Sequence, residues 1–167
     1  MKQFKKVDFI MGWLTFAIAA FVYCSTIEPT ASFWDCPEFI TSAYKLEVGH
    51  PPGNPFFMLT ANLFTQFTDD PTQVARMVNI MSALFSAGCI LFLFWSISHL
   101  VRKLVCDDSS NMSLGQLITI EGSALVGALA YTFSDTFWFS AVEGEVYAYS
   151  SLFTAMVFWL ILKWEEH

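Results

Sequence analysis

The chain has 167 residues, of which 55% are hydrophobic, 17% aromatic and 14% charged, with a formal net charge of −7. Soluble domains carry roughly 25% charged residues. A chain this short cannot bury so much apolar side chain in its own core, so the surplus belongs in lipid, and disorder or collagen-like repetition is excluded. The acidic balance also excludes nucleic acid, which requires a basic face. Cys24, Cys36, Cys89 and Cys106 have no metal-ligand spacing and are too few for a disulfide framework. Cys24 and Cys36 nevertheless fall on the same side of the membrane, where they could pair.

Four apolar stretches follow one another along the chain, at about 9–24, 74–100, 114–133 and 146–162, each near the roughly 20 residues needed to cross hydrocarbon. The first follows Lys2, Lys5 and Lys6 and lacks a small-residue cleavage site, so it reads as an uncleaved signal-anchor. The second starts with Asp70-Pro71, the chemistry of a helix cap and first turn, and ends at Arg102-Lys103. Ser113 is placed to cap the third, and the fourth ends at Lys163-Trp164. The expected architecture is all-α: a polytopic bundle of four transmembrane helices, forming one membrane domain over 1–167.

Charge sets the expected orientation. Lys2, Lys5, Lys6, Arg102, Lys103 and Lys163 fall on one side and only Lys45 and Arg76 near the other, which puts the N-terminus in the cytoplasm. The polar segment 101–113 is then a short cytoplasmic loop. Most acids fall on the non-cytoplasmic side, in a bacterial inner membrane or the endoplasmic reticulum, and the chemistry is expected there.

The first outer loop, 25–73, is far longer than a connection needs and too apolar for disorder. Asp35 and Glu38 occupy the cap and third positions of a helix start, with Pro37 between them. At the roughly 100° per residue of an α-helix, Asp35, Glu38, Ser42 and Lys45 share one face and Phe33, Cys36, Ile40, Ala43 and Tyr44 the other. That pattern predicts an interfacial helix with one face in lipid. Gly49-His50-Pro51-Pro52-Gly53 breaks it, and Asn54-Pro55 caps a second interfacial helix through about Phe67.

Several residues carry candidate chemistry, each with a plainer alternative. Asp35 and Glu38 suit a general base at the membrane boundary, or a capping box that satisfies the first N–H groups of the helix. His50 suits a phosphate donor or proton carrier, or a turn histidine with a local hydrogen bond. Arg76, near the outer lipid boundary, either holds a lipid-linked phosphate, pairs with Asp69 or Asp70, or snorkels. Lys45 reads as an interface anchor. In the short outer turn 134–149, Glu143 and Glu145 suit a helix N-terminus. With Trp138, Tyr147 and Tyr149 they also make a sugar-binding surface, although an aromatic belt accounts for the rings equally. Glu121, inside the third span, must face protein or water. No protein metal motif is present, yet the outer carboxylates could hold a divalent cation, Mg or Mn, because Mg²⁺ needs only one or two of them.

Two long motifs carry a resemblance. Ser32-Phe33-Trp34-Asp35-Cys36-Pro37-Glu38-Phe39 with Val48-Gly49-His50-Pro51-Pro52-Gly53, and then Trp138-Phe139-Ser140-Ala141-Val142-Glu143-Gly144-Glu145-Val146-Tyr147, resemble the signature of the domain-of-unknown-function 2723 family. That family is similar to the multi-span type C glycosyltransferases and includes a protein O-mannosyltransferase. The resemblance implies a polyprenyl-phosphate-linked sugar donor, a protein or glycan acceptor, and inverting transfer with Asp35 as the catalytic acid of the first loop and Glu38 as the runner-up. It further implies that His50 and Arg76 stabilise the leaving phosphate and that Glu143, Glu145 and Tyr147 line the same cavity. Such enzymes have many more spans, so the chain is expected to be the N-terminal part of a longer protein. The competing readings are a transport or lipid-handling protein, which would place charge nearer the midplane, and a non-catalytic membrane scaffold.

Overall fold

The computed structural model describes residues 2–106 and 112–165. Its described elements are helical: α1 (Lys2–Ser25), α2 (Cys36–Lys45), α3 (Pro55–Thr65), α4 (Val74–Val105, led by a single 3₁₀ turn at Pro71–Gln73), α5 (Leu114–Thr132), α6 (Asp135–Ala141) and α7 (Val146–Glu165). Of these, α1, α4 with its leading turn, α5 and α7 are long and apolar enough to cross a membrane, and the protein is a multi-pass integral membrane protein. The expected cytoplasmic loop is shorter than its sequence suggested, because α4 runs on through Val105; residues 107–111 lie outside the described residues.

Helix α4 is the hub. It packs against α1, α5 and α7 along the bundle and against α2, α3 and α6 at the end that carries the long first loop, hereafter the loop end. Its 32 residues rise about 48 Å, well beyond the roughly 30 Å of hydrocarbon. Small buried residues, Ser82, Ala83, Ser86, Ala87 and Cys89, let neighbours approach its backbone. A Cβ on Gly88 would stand 2.9 Å from Leu152 of α7.

The helix starts follow their sequences. The Asp70 carboxylate accepts from the Thr72 backbone N–H at 2.9 Å and its hydroxyl at 2.8 Å. Ser113 forms a reciprocal capping box with Gln116, at 3.2 and 2.9 Å. At the end of α5, the buried Tyr23 hydroxyl donates to the Thr132 carbonyl at 2.9 Å, satisfying one of the acceptors that a helix terminus leaves open. Towards the opposite end of α1, Ser98 donates to the Asp8 carboxylate and Trp95 Nε1 to the Asp8 carbonyl at 3.3 Å. Glu121 is buried in the bundle, as a carboxyl inside a span must be.

The first loop differs from expectation in three respects. Cys36, Ile40 and Ala43 of α2 are buried in one cluster with Phe57, Met58 and Ala61 of α3 and Val74, Val78 and Met81 of α4, so the apolar face meets protein instead of lipid. Ser42, expected on the wet face, is buried too, while Phe33 and Tyr44 are exposed. Neither Asp35 nor Asn54 makes a side-chain cap bond, which removes the capping-box reading of Asp35 and Glu38. The turn 134–149 also contains a helix, α6, that its short apolar run concealed.

Polar ties hold the loop to the bundle. Asn62 of α3 donates to the Ala43 and Tyr44 carbonyls at the end of α2, at 2.9 and 3.2 Å. Asn79 of α4 is fully buried and donates to the carbonyls of Glu28 and Thr30, at 2.7 and 3.0 Å. Replacing Asn79 by alanine removes both bonds; at about 0.5–1.5 kcal/mol each, this predicts a lower unfolding midpoint for Asn79→Ala in detergent, measured by chemical denaturation.

Candidate functional site

Two sequence-distant segments meet at the loop end. The first is the entry to α2. Trp34 sits at φ 60°, a left-handed conformation unusual for a non-glycine residue, and this bend delivers Asp35 to the mouth of the helix. The second is the Glu143-Gly144-Glu145 turn between α6 and α7, closed by a Glu145 N–H to Glu143 carbonyl bond of 2.9 Å. The turn is drawn onto the first loop by the Glu28 N–H, which donates to the Val142 carbonyl at 3.0 Å. Trp138 Nε1 adds a bond to the Thr26 hydroxyl at 3.0 Å.

Gly144 makes this meeting sterically feasible. A Cβ there would lie 3.0 Å from Val78, 3.1 Å from Asn79 and 3.2 Å from Ile40, inside the range that ordinary side-chain contacts avoid. The backbone of the turn therefore lies directly on α4 and α2, and the flanking carboxylates project away from that contact.

Between the two segments lies a cavity of about 560 Å³, whose lining includes Trp34, Asp35, Glu143, Glu145, Tyr147, Tyr131, Phe137, Phe139 and Ser86. Asp35, Glu143, Glu145 and Tyr147 are thus brought together, as the motifs implied. The lining contains carboxylates, hydroxyls and aromatic faces but no lysine, arginine or histidine. Glu143 and Glu145 are each only 5% exposed. Burial pushes Glu145 up to about 7, with the nearby Glu143 and Asp35 charges adding to the effect. Burial likewise raises Glu143, opposed by a Ser32 hydrogen bond.

Beside the cavity, Glu38 and His50 form a tight pair. Glu38 Oε1 accepts from the His50 backbone N–H at 2.7 Å, and Oε2 lies 3.1 Å from His50 Nδ1. The His50 backbone N–H, then its ring, hold Glu38 below the usual carboxylate range. His50 Nε2 is 4.0 Å from Asp35 Oδ2. These three side chains offer donor atoms within 4.8 Å of one another.

Arg76 is not gathered in. It is exposed in the first turn of α4, lies outside the cavity lining, and forms no ion pair with Asp69 or Asp70. Cys24 and Cys36 remain separate thiols, and burial pushes the Cys36 thiol up. Ser86 went unflagged by spacing, a serine in an apolar span being the sole clue: its hydroxyl is buried without a hydrogen-bond partner yet lines the cavity.

A bundle of membrane-length helices with an acidic, aromatic-walled cavity at its loop end defines a polytopic membrane protein with a polar pocket at one end. Residues 35–167 match the family described as the protein O-mannosyl-transferase TMEM260 N-terminal domain, and the chain belongs to that family. It is 31% identical over 152 residues to the Mus musculus protein O-mannosyl-transferase TMEM260, covering 90% of this chain and 19% of the mouse protein. It is 26% identical over 160 residues to the Dictyostelium discoideum protein O-mannosyl-transferase tmem260, covering 95% of this chain and 18% of that relative. The chain thus spans about a fifth of the length of these relatives. No solved structure matches it.

Two predictions follow from this geometry. Gly144→Val forces the turn off α4 and α2 and lowers stability by about 1–3 kcal/mol, as overpacking does; protease sensitivity of the first loop reports it. For Glu145, a folded pKa of about 7 against an ordinary 4.5 means that the folded chain keeps a proton that the unfolded chain has released. Stability from this group therefore falls as pH rises from 4.5 to about 7. Glu145→Gln removes the fall, so its unfolding midpoint exceeds that of the wild type at pH above this window and not below it.

Proposed function

We propose that the chain forms part of a membrane mannosyltransferase that moves the sugar from a polyprenyl-phosphate-linked donor to an acceptor hydroxyl, on protein Ser or Thr, with inversion at the anomeric carbon. The observation that carries the reading is the shared cavity of Asp35, Glu143 and Glu145. A sugar presents hydroxyl donors to carboxylates and C–H faces to aromatic rings, and the lining supplies both. The family membership and the named relatives support the same chemistry.

In this reading Asp35 is the general base. Its carboxylate takes the acceptor hydroxyl proton while that oxygen attacks the anomeric carbon. The bond from that carbon to the donor phosphate breaks, and the lipid phosphate leaves with the electron pair. Glu38, with both oxygens committed to His50, is the less available base. Glu143, Glu145 and Tyr147 orient the sugar. With the basic residues Lys5, Lys6, Arg102, Lys103 and Lys163 at the opposite end of the bundle, the cavity opens on the non-cytoplasmic face, in a bacterial inner membrane or the endoplasmic reticulum.

The test uses the full-length parent protein, purified in detergent and assayed for mannose transfer from polyprenyl-phosphate mannose to a Ser/Thr-containing peptide. Asp35→Asn is expected to lose at least ~100-fold in kcat, the scale of a general-base contribution, while its unfolding midpoint is unchanged. Retained turnover in Asp35→Asn overturns the assignment of the base, and no turnover of any lipid-linked sugar by the folded wild type overturns the transferase.

A further inference from the structure

A base at the edge of an acidic cavity must lose its proton again before the next turnover. Asp35 lines the cavity with Glu143 and Glu145, and its exposed carboxylate also faces His50. The structure provides an exit. Because Nδ1 of His50 faces the Glu38 carboxylate at 3.1 Å, it carries the ring proton in the neutral imidazole, and Nε2 is left as the acceptor. Nε2 is the ring nitrogen that faces Asp35, at 4.0 Å. The Phe39 ring lies 5.7 Å from the imidazole, inclined by 30°, and the second Glu38 bond, to the His50 backbone at 2.7 Å, fixes the turn itself.

We propose that His50 is the proton relay of this site and Glu38 the residue that positions it, an inference that rests on Asp35 being the base. After transfer, protonated Asp35 gives its proton to His50 Nε2. The product is an Asp35 carboxylate and a His50 imidazolium that keeps its Nδ1 proton on Glu38. The half-exposed ring then releases the Nε2 proton to water, restoring the starting tautomer. The 4.0 Å separation exceeds a hydrogen bond and is closed by rotation of the exposed Asp35 side chain or by one water. The charged groups around the ring are Asp35 and Glu38 from α2 and Glu145 from the turn before α7; α3, Pro55–Thr65, contributes no titratable side chain.

The experiment measures kcat and KM for mannose transfer by the full-length parent protein across its stable pH range, for wild type, Asp35→Asn, Glu38→Gln, His50→Gln and His50→Ala with and without added imidazole. His50→Gln is expected to lose at least ~10-fold in kcat, with KM little changed, and to lose the acid limb that protonated His50 imposes. Glu38→Gln is expected to lower kcat with KM little changed, because the ring has lost the carboxylate that holds it toward Asp35. Imidazole restores turnover to His50→Ala, a recovery that a merely structural histidine would not show. An equal loss at every pH without rescue overturns the relay while leaving Asp35 as base if Asp35→Asn is inactive. An active Asp35→Asn overturns both. A wild-type rate abolished by a chelator, with His50→Gln insensitive to it, makes His50 a metal ligand and also overturns the relay.

Discussion

A Cβ on Gly144 would meet Val78 and Asn79 of α4 and Ile40 of α2 at 3.0–3.2 Å, and this close approach governs what the loop end can be. It lets a turn from the second half of the chain lie flat on the central helix, so that its two glutamates stand opposite Asp35. Asn79 works from the same spot in the other direction, binding the Glu28 and Thr30 carbonyls, while Glu28 itself bonds back to Val142. Three segments therefore converge on one turn of α4. The cavity is the space they leave, and its shape depends on backbone contacts more than on the side chains that line it.

Electrostatics then give that space its character. Three carboxylates face a volume with no basic side chain in its wall, and two of them are almost wholly removed from water. Such a group is costly to charge unless something hydrogen-bonds to it. A ligand rich in hydroxyl groups supplies those bonds where solvent cannot. In the proposed transferase that cost becomes a preference for a sugar-like occupant, whose apolar faces the aromatic walls match.

Much of this was legible in the sequence, for identifiable reasons. The four spans follow from hydropathy and length, and the caps at Asp70 and Ser113 from local chemistry that acts within three residues. The acids Asp35, Glu143 and Glu145 could be singled out because charge beside apolar sequence is expensive. What occupies the second side of α2 could not be read: period alone shows that one face is apolar, and lipid and protein satisfy it equally. The same limit hid α6, whose seven residues are too few to display a period. The Glu38–His50 pair, twelve residues apart, depends on a proline turn whose direction no spacing rule gives, and the local capping reading of Glu38 failed because its oxygens found that more distant donor.

The length of α4 has a further consequence. Its surplus over the hydrocarbon thickness is about 18 Å, and the rise from its first residue to Ser86 is also about 18 Å. When the surplus lies at the loop end, Ser86 is level with the upper edge of the oily layer while Trp34 and Asp35 stand in water above it. One cavity then spans the whole drop in polarity across the interface. In the proposed reaction a lipid-tethered donor then reaches its floor without leaving the bilayer, a water-borne acceptor reaches its mouth without entering, and the two meet along a single helix.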